Sequence, residues 1–277
     1  MSAIGRYAVV GNPIGHSLSP IIQKAFADQF GKELDYTAQL VEIDDFEQWV
    51  YSFFSSGGVG LNVTLPFKSR AFDLANSSSE RAAISGTANF LKRTGLEIIL
   101  ADNTDGVGLV RDIQINLRSR LAGAQILVLG AGGAVKGVLP SLMKEMPRAI
   151  FIANRTSQRA ISLAQGFSGR KVTVTGGGLE DIPLGPWDII LNGSSAGLFG
   201  EMPALPNGLL LSGESLCYDM AYGKEPTVFM GWAVKLGASK VADGLGMLVE
   251  QAAESYSLWF GSGPDSQIVI ENLRRAD

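Results

Sequence analysis

Two side chains in the N-terminal part of the sequence have the types needed to move a proton and to hold the group that moves it. Lys68 closes Asn62-Val-Thr64-Leu-Pro66-Phe-Lys68, just after an apolar segment, and Asp105 sits in Ala101-Asp102-Asn103-Thr104-Asp105-Gly106. A lysine whose pKa is lowered by burial can give a proton to a developing alkoxide and take it back in the reverse direction. A neighbouring carboxylate would orient that lysine and a substrate hydroxyl. Taken alone, Lys68 reads as a solvated surface lysine and Asp105 as a helix-capping aspartate, so the chemistry depends on the fold bringing them together. Ser17-Leu-Ser19-Pro20 adds two hydroxyls and backbone N–H groups at a helix start. That setting suits a carboxylate, and the same string also reads as ordinary N-terminal capping.

A second constellation lies in residues 125–156. The apolar run Gln125-Ile-Leu-Val-Leu129 leads into Gly130-Ala131-Gly132-Gly133-Ala134 and a helical stretch, then a second apolar run, Ala149-Ile-Phe-Ile-Ala153, ends in Asn154-Arg155-Thr156. A glycine turn between strand and helix lets the backbone approach a pyrophosphate and aims the helix N-terminal N–H groups at it, so a dinucleotide is the expected ligand. The end of the second strand selects among dinucleotides. An Asp or Glu there would bind a ribose 2′-hydroxyl, whereas Asn154, Arg155 and Thr156 suit a 2′-phosphate, and NADP is expected. If the segment is helical, Arg159 shares a face with Arg155 and both guanidiniums can reach one phosphate.

These residues need α/β scaffolding, and the pattern supplies it twice. Strands are expected at 7–10, 36–41, 60–63 and 215–220, and helices at 21–30, 46–54, 105–117 and 245–260. The first unit lacks a Gly-x-Gly turn after its opening strand, carrying Gly11-Asn-Pro instead, so a different ligand is expected there.

Composition bounds the rest. A chain of 277 residues exceeds what one core usually serves, so two domains are expected. Hydrophobic residues make up 46% and no apolar run reaches the ~18 uncharged residues of a membrane span. No basic-then-apolar leader opens the sequence, and a cytoplasmic protein with no membrane partner is expected. The net charge of −4 argues against nucleic-acid binding and leaves small molecules as the expected partners. Cys217 is the one cysteine, expected as a buried thiol, and His16 is the one histidine, so no zinc site of nitrogen and sulfur ligands is expected.

Seven strings in order resemble the shikimate dehydrogenase family over nearly the whole chain. They are Gly11-Asn-Pro with Ser17-Leu-Ser19-Pro20, Asn62-Val-Thr64-x-Pro66-Phe-Lys68, Asp102-Asn-Thr-Asp105-Gly-x-Gly, Gly130-Ala-Gly-Gly-Ala134, Asn154-Arg155-Thr156, Asp219-Met-x-Tyr222 and Asp243-Gly244-x-Gly-Met-Leu-x-x-Gln251. The resemblance implies an NADP-dependent oxidoreductase that interconverts 3-dehydroshikimate and shikimate on the route to chorismate and aromatic amino acids. It implies two α/β domains with a cleft between them: a substrate-binding and catalytic domain, 1–105 completed by 246–277, and a Rossmann-type NADP-binding domain, 106–245. Lys68 and Asp105 would be the catalytic pair. Ser17 and Ser19 would hold the substrate carboxylate, and Thr64, Lys68, Asn89, Asp105, Tyr222 and Gln251 its hydroxyls. Nucleotide roles would fall on Glu80, on Gly130, Ala131, Gly132, Gly133 and Ala134, on Asn154, Arg155, Thr156, Ser157, Gln158 and Arg159, and on Met220 and Gly244. Homodimer and monomer are both compatible with the sequence.

The sequence departs from that family at two places. Asn89 is followed by Phe90, where the family usually has threonine, and this bears on substrate fit. The family's Asn-Ala-Thr-Ser-x-Gly appears as Asn192-Gly-Ser-Ser-Ala-Gly197, which keeps the turn and its hydroxyls. A quinate or quinate/shikimate dehydrogenase with relaxed or NAD-preferring cofactor use is one alternative, disfavoured by Asn154-Arg155-Thr156. A non-catalytic NADP-binding regulator is the other, against which Lys68 and Asp105 speak.

Overall fold

The computed structural model describes residues 5–95, 98–194, 196 and 201–276, so Ser195 and Gly197 of the 192–197 turn lie outside the described residues. The chain divides into two compact units, Met1–Leu109 with Leu248–Asp277, and Val110–Met247. Both are α/β.

The first unit runs β1 (Arg6–Gly11), α1 (Ser19–Gln29), β2 (Asp35–Leu40), α2 (Phe46–Ser55), β3 (Gly58–Val63), α3 (Lys68–Asp73), β4 (Ser77–Ser78), α4 (Glu80–Ser85), β5 (Phe90–Arg93), β6 (Ile99–Asp102) and the start of α5 (Asp105–Arg111). Its sheet has the order β2-β1-β3-β5-β6-β4. β2 and β3 pair with β1 in parallel, as βαβ crossovers require, whereas β3/β5 and β5/β6 are antiparallel. Alternation along the strands sorts the two faces. Ala8, Val10, Leu61, Val63 and Leu91 meet Phe46, Val50 and Phe54, which recur every four residues along one stripe of α2. Tyr7, Val9, Tyr36 and Phe90 take the opposite face and pack on Trp259, from the long helix that returns to this unit.

The second unit continues from α5 through a widened turn, Asp112–Asn116, in which Leu117 N–H reaches back to the Asp112 carbonyl. The helix expected over 105–117 therefore keeps α geometry only to Arg111. β7 (Gln125–Leu129), α6 (Gly133–Lys144), β8 (Ala149–Ala153), α7 (Ser157–Gln165), β9 (Thr173–Gly177), β10 (Trp187–Asn192), β11 (Leu211–Asp219), α8 (Val228–Leu236) and β12 (Lys240–Ala242) follow. All six strands are parallel, in the order β12-β11-β10-β7-β8-β9. β7 and β10 are nearly continuous buried apolar runs, the signature of a sheet covered on both sides. The chain winds outward from β7 to β9, returns beside β7 as β10, and winds outward again, so the strand order reverses at β7/β10, the place where such folds bind dinucleotides. α9 (Leu245–Phe260) leads back to the first unit, and α10 (Ser266–Ala276) follows it.

Cys217 is fully buried in β11, and burial pushes its thiol up to about 12, which removes it as a nucleophile. Among the described residues no helix is long and apolar enough to cross a membrane, and no group of three His, Cys, Asp or Glu side chains could hold a metal ion.

Candidate functional site

Lys68, Asn89 and Asp105 meet because three strand ends meet. β3 pairs with β5 through Asn62 and Phe90, and β5 with β6 through Phe90 and Asp102. The residues just after β3, just before β5 and just after β6 therefore share one end of the sheet. Backbone bonds close the junction: Val63 N–H donates to the Asn89 carbonyl, Asn89 N–H to the Asp102 carbonyl and Ala88 N–H to the Lys68 carbonyl. Phe67, fully buried and stacked on Phe46 at 4.4 Å between ring centroids, pins the residue before Lys68.

Lys68 Nζ lies 2.5 Å from Asp105 Oδ2, and the two side chains are 15% and 7% exposed. Asn89 Nδ2 donates to Asp105 Oδ1 at 2.8 Å, so both carboxylate oxygens are engaged. Asp105 opens α5, and Asn103 Oδ1 accepts its backbone N–H at 3.1 Å. Gln251 enters from α9, its Oε1 3.1 Å from Asn89 Nδ2, and its own Nε2 donates to the Leu248 carbonyl at 2.8 Å. Lys68, Asn89, Asp105 and Gln251 are thus joined by direct side-chain hydrogen bonds.

Ser17, Ser19 and Thr64 stand outside that hydrogen-bonded group. Ser17 and Ser19 follow β1 and Thr64 follows β3, parallel neighbours in the sheet. Thr64 N–H donates to the Val10 carbonyl, and a Cβ on Gly11 would sit 2.5 Å from Thr64 Cγ2, so the absence of a side chain at Gly11 makes room for the threonine. The capping reading of the serines is met only weakly. Leu18 takes the cap position of α1 without a side-chain bond, and Ser17 Oγ accepts the Ser19 N–H at 3.3 Å. Ser19 is buried beside Tyr36, whose phenol is raised by burial and opposed by the Ser19 hydrogen bond. Glu80 opens α4 in the first unit. Phe90 points away from Asn89, into the aromatic cluster with Trp259.

In the second unit the glycine turn opens α6. Gly130 has φ +104, and a Cβ there would lie 2.8 Å from the Gly193 carbonyl oxygen, so only glycine fits where β7 and β10 end side by side. Gly132 occupies the N-cap position with nothing within 4 Å of where a Cβ would stand, and α6 has neither a side-chain cap nor an acidic residue in its first turn. Its N–H groups and positive dipole end are therefore available to a pyrophosphate. Gly133 and Ala134, with Ala131 before them, line this half-buried turn. Met220 N–H donates to the Asn192 carbonyl, and a Cβ on Gly193 would lie 2.9 Å from Met220 Sδ. Asp219 holds that loop: its carboxylate accepts from Asn192 Nδ2, Ala221 N–H and Thr227 Oγ1. Burial raises Asp219 above the ordinary carboxylate range and these three bonds oppose the rise. Gly244 N–H donates to the Ala221 carbonyl, and a Cβ on Gly244 would lie 2.3 Å from the Met220 carbonyl oxygen. Tyr222 follows in the same loop, 37% exposed.

Asn154, Arg155 and Thr156 form the turn after β8, with Asn154 Nδ2 donating to the Thr156 carbonyl at 3.0 Å. Arg155 and Arg159 are exposed and make no ion pair among the described residues. The condition for a shared helical face, that the segment be helical from Arg155 on, is not met. α7 starts at Ser157, so Arg155 belongs to the turn and Arg159 to the helix. Ser157 and Gln158 fill the first turn of α7, again without an acidic residue. These residues fit a dinucleotide carrying a 2′-phosphate.

Residue-by-residue reading of the sequence passed over Thr104 and Ser255, both fully buried and bonded into the Asn89–Gln251 group, and gave no role to Asn62. The spacing Gln251-x-x-x-Ser255 places two polar groups on one stripe of an apolar helix, which is the signal that could have found Ser255.

Three family profiles match the chain: the shikimate dehydrogenase substrate binding domain over residues 9–91, shikimate / quinate 5-dehydrogenase over 113–196, and the shikimate 5′-dehydrogenase C-terminal domain over 244–274. The shikimate dehydrogenase (NADP(+)) of Cellvibrio japonicus is 49% identical over 97% of this chain and 96% of that one. Among solved structures, an Ael1 enzyme from Pseudomonas putida superimposes with a TM-score of 0.88 at 43% identity, covering 97% of this chain and 98% of the other. The shikimate 5-dehydrogenase of Thermus thermophilus, in complex with NADP(H) and shikimate, superimposes with a TM-score of 0.84 at 30% identity, over 99% of this chain and 100% of the other.

Proposed function

The chain belongs to the shikimate dehydrogenase family, and from that premise we propose that it interconverts 3-dehydroshikimate and shikimate with NADP. Residues 1–105 and 246–277 bind the substrate, and residues 106–245 bind the nucleotide. NADP, when bound, supplies or takes up the hydride.

The chain's own residues do the rest. Ser17 and Ser19 receive the substrate carboxylate, and Thr64, Asn89, Gln251 and Tyr222 receive its hydroxyls. As negative charge grows on the ketone oxygen, Lys68 Nζ hydrogen-bonds that oxygen and hands it a proton; in the oxidative direction Nζ takes the proton back. Asp105 holds Nζ in place through Oδ2 while Asn89 holds Oδ1. Gly130, Ala131, Gly132, Gly133 and Ala134 would hold the pyrophosphate at the start of α6. Asn154, Arg155, Thr156, Ser157, Gln158 and Arg159 would take the 2′-phosphate. Met220 and Gly244 would meet the nicotinamide end through their backbone, and Glu80 would complete the nucleotide contacts.

The observation that carries this reading is the 2.5 Å pair of Lys68 and Asp105 in a nearly buried setting, with both carboxylate oxygens of Asp105 engaged. NADP-linked oxidation of shikimate by the purified protein tests it. Turnover that Lys68→Ala loses supports the reading, and NADPH binding without turnover overturns it.

A further inference from the structure

Thr104, one residue before Asp105, is fully buried and has no place in the roles given so far. Its backbone N–H donates to Asn89 Oδ1 at 2.7 Å. Its Oγ1 lies 2.9 Å from Asn89 Nδ2, 3.3 Å from Gln251 Oε1 and 3.2 Å from Ser255 Oγ. Because Asn89 Oδ1 accepts from the backbone, the amide cannot turn over without losing that bond, and its NH2 must face the other way. There, two N–H groups meet three acceptors: Thr104 Oγ1, Asp105 Oδ1 and Gln251 Oε1. Gln251 is fixed too, since its NH2 is committed to the Leu248 carbonyl.

A hydroxyl can accept one bond and donate another, so Thr104 resolves the excess of acceptors by taking an N–H from Asn89 and giving its own proton to Gln251 Oε1. Asn89 Oδ1, at 3.2 Å, and Ser255 Oγ, whose own proton goes to the Gln251 backbone carbonyl at 3.0 Å, are the other acceptors within its reach. Ser255 is tied in turn to the sheet, receiving Asn62 Nδ2 at 3.0 Å, and Asn62 Oδ1 accepts from Tyr36 at 2.7 Å. The chain Tyr36–Asn62–Ser255–Thr104 is buried throughout.

We infer that Thr104 is a positioning residue, whose hydroxyl keeps the amides of Asn89 and Gln251 turned so that one Asn89 N–H is held on Asp105, leaving the second lone pair of each amide oxygen and the second N–H of Gln251 for substrate hydroxyls. The inference rests on the substrate roles proposed above for those two amides. It predicts a loss in substrate recognition with the nucleotide unaffected, since every group the hydroxyl touches belongs to the first unit.

Thr104→Val keeps the shape and removes the hydroxyl. The expected result is a KM for shikimate raised roughly tenfold or more, the size of effect that a buried polar group left without its partner has, with a smaller fall in kcat and an unchanged KM for NADP. Thr104→Ser, which restores the hydroxyl, should return the KM to within about threefold. Side-chain amide resonances of Asn89 in the uniformly nitrogen-15 labelled protein give a readout that needs no turnover: Thr104→Val should shift and broaden them, and Thr104→Ser should not. If Thr104→Val does not fold, Ser255→Ala tests the same network, with the same directions expected. Wild-type KM for shikimate together with unchanged Asn89 resonances in Thr104→Val would overturn the inference, as would equal losses in Thr104→Val and Thr104→Ser. A wild type that does not turn over shikimate defeats the proposed function instead, and the Asn89 resonances then decide the positioning role.

Discussion

Phe90 stacks on Trp259, with ring centroids 5.1 Å apart and planes 27° from parallel. The ring follows Asn89 directly in sequence, yet strand alternation sends the two side chains to opposite faces of the sheet. Trp259 is fitted just as closely to β3, where a Cβ on Gly60 would stand 2.2 Å from its Nε1. Phe90 is thus part of the packing that fastens α9 to the sheet. Phe90→Thr should cost about 3 kcal/mol, for lost apolar contact and the cavity left behind, while the KM for shikimate stays near wild type. Denaturant unfolding beside steady-state kinetics checks this, and a changed KM at unchanged stability would show that the ring governs substrate fit.

Gly246 makes a second stability prediction. A Cβ there would lie 2.0 Å from Asp112 Oδ1, and Asp112 Oδ2 accepts the Tyr218 hydroxyl at 2.6 Å. The carboxylate cannot step aside without weakening that buried bond. Gly246→Ala should cost about 1–3 kcal/mol, whereas Gly213→Ala, with open space around it, should stay within about 0.5 kcal/mol of wild type. Equal unfolding midpoints for the two variants would contradict the packing described.

Arg155 and Arg159 should decide between coenzymes. Each offers an exposed guanidinium with no ion-pair partner among the described residues, so each can be given to a 2′-phosphate. Replacing both by alanine should raise the KM for NADP by roughly tenfold per arginine and leave the KM for NAD almost unchanged. A parallel rise for both nucleotides would place the arginines elsewhere than on the 2′-phosphate.

The sequence is most legible where chemistry and chain order coincide. The turn from Gly130 to Ala134 announces itself because strand, glycines and helix are consecutive, and Lys68 and Asp105 stand in compact strings. Arg155 and Arg159 show the limit of spacing arguments: four residues apart means one face only inside a helix, and the helix starts between them. Thr104 and Ser255 are bonded across 151 positions of sequence, a separation that no local pattern reports. The antiparallel pair β5 and β6 was equally hidden, since each strand has four residues and its alternation is too short to stand out.

The central claim is that Lys68, held by Asp105, moves the proton during NADP-linked interconversion of shikimate and 3-dehydroshikimate. The most direct measurement follows NADPH formation from shikimate by the wild type and by Lys68→Ala. The account predicts turnover by the wild type and a fall in kcat of roughly 10²–10⁴-fold in the variant, with NADPH affinity nearly unchanged. Near-wild-type turnover by Lys68→Ala would contradict it.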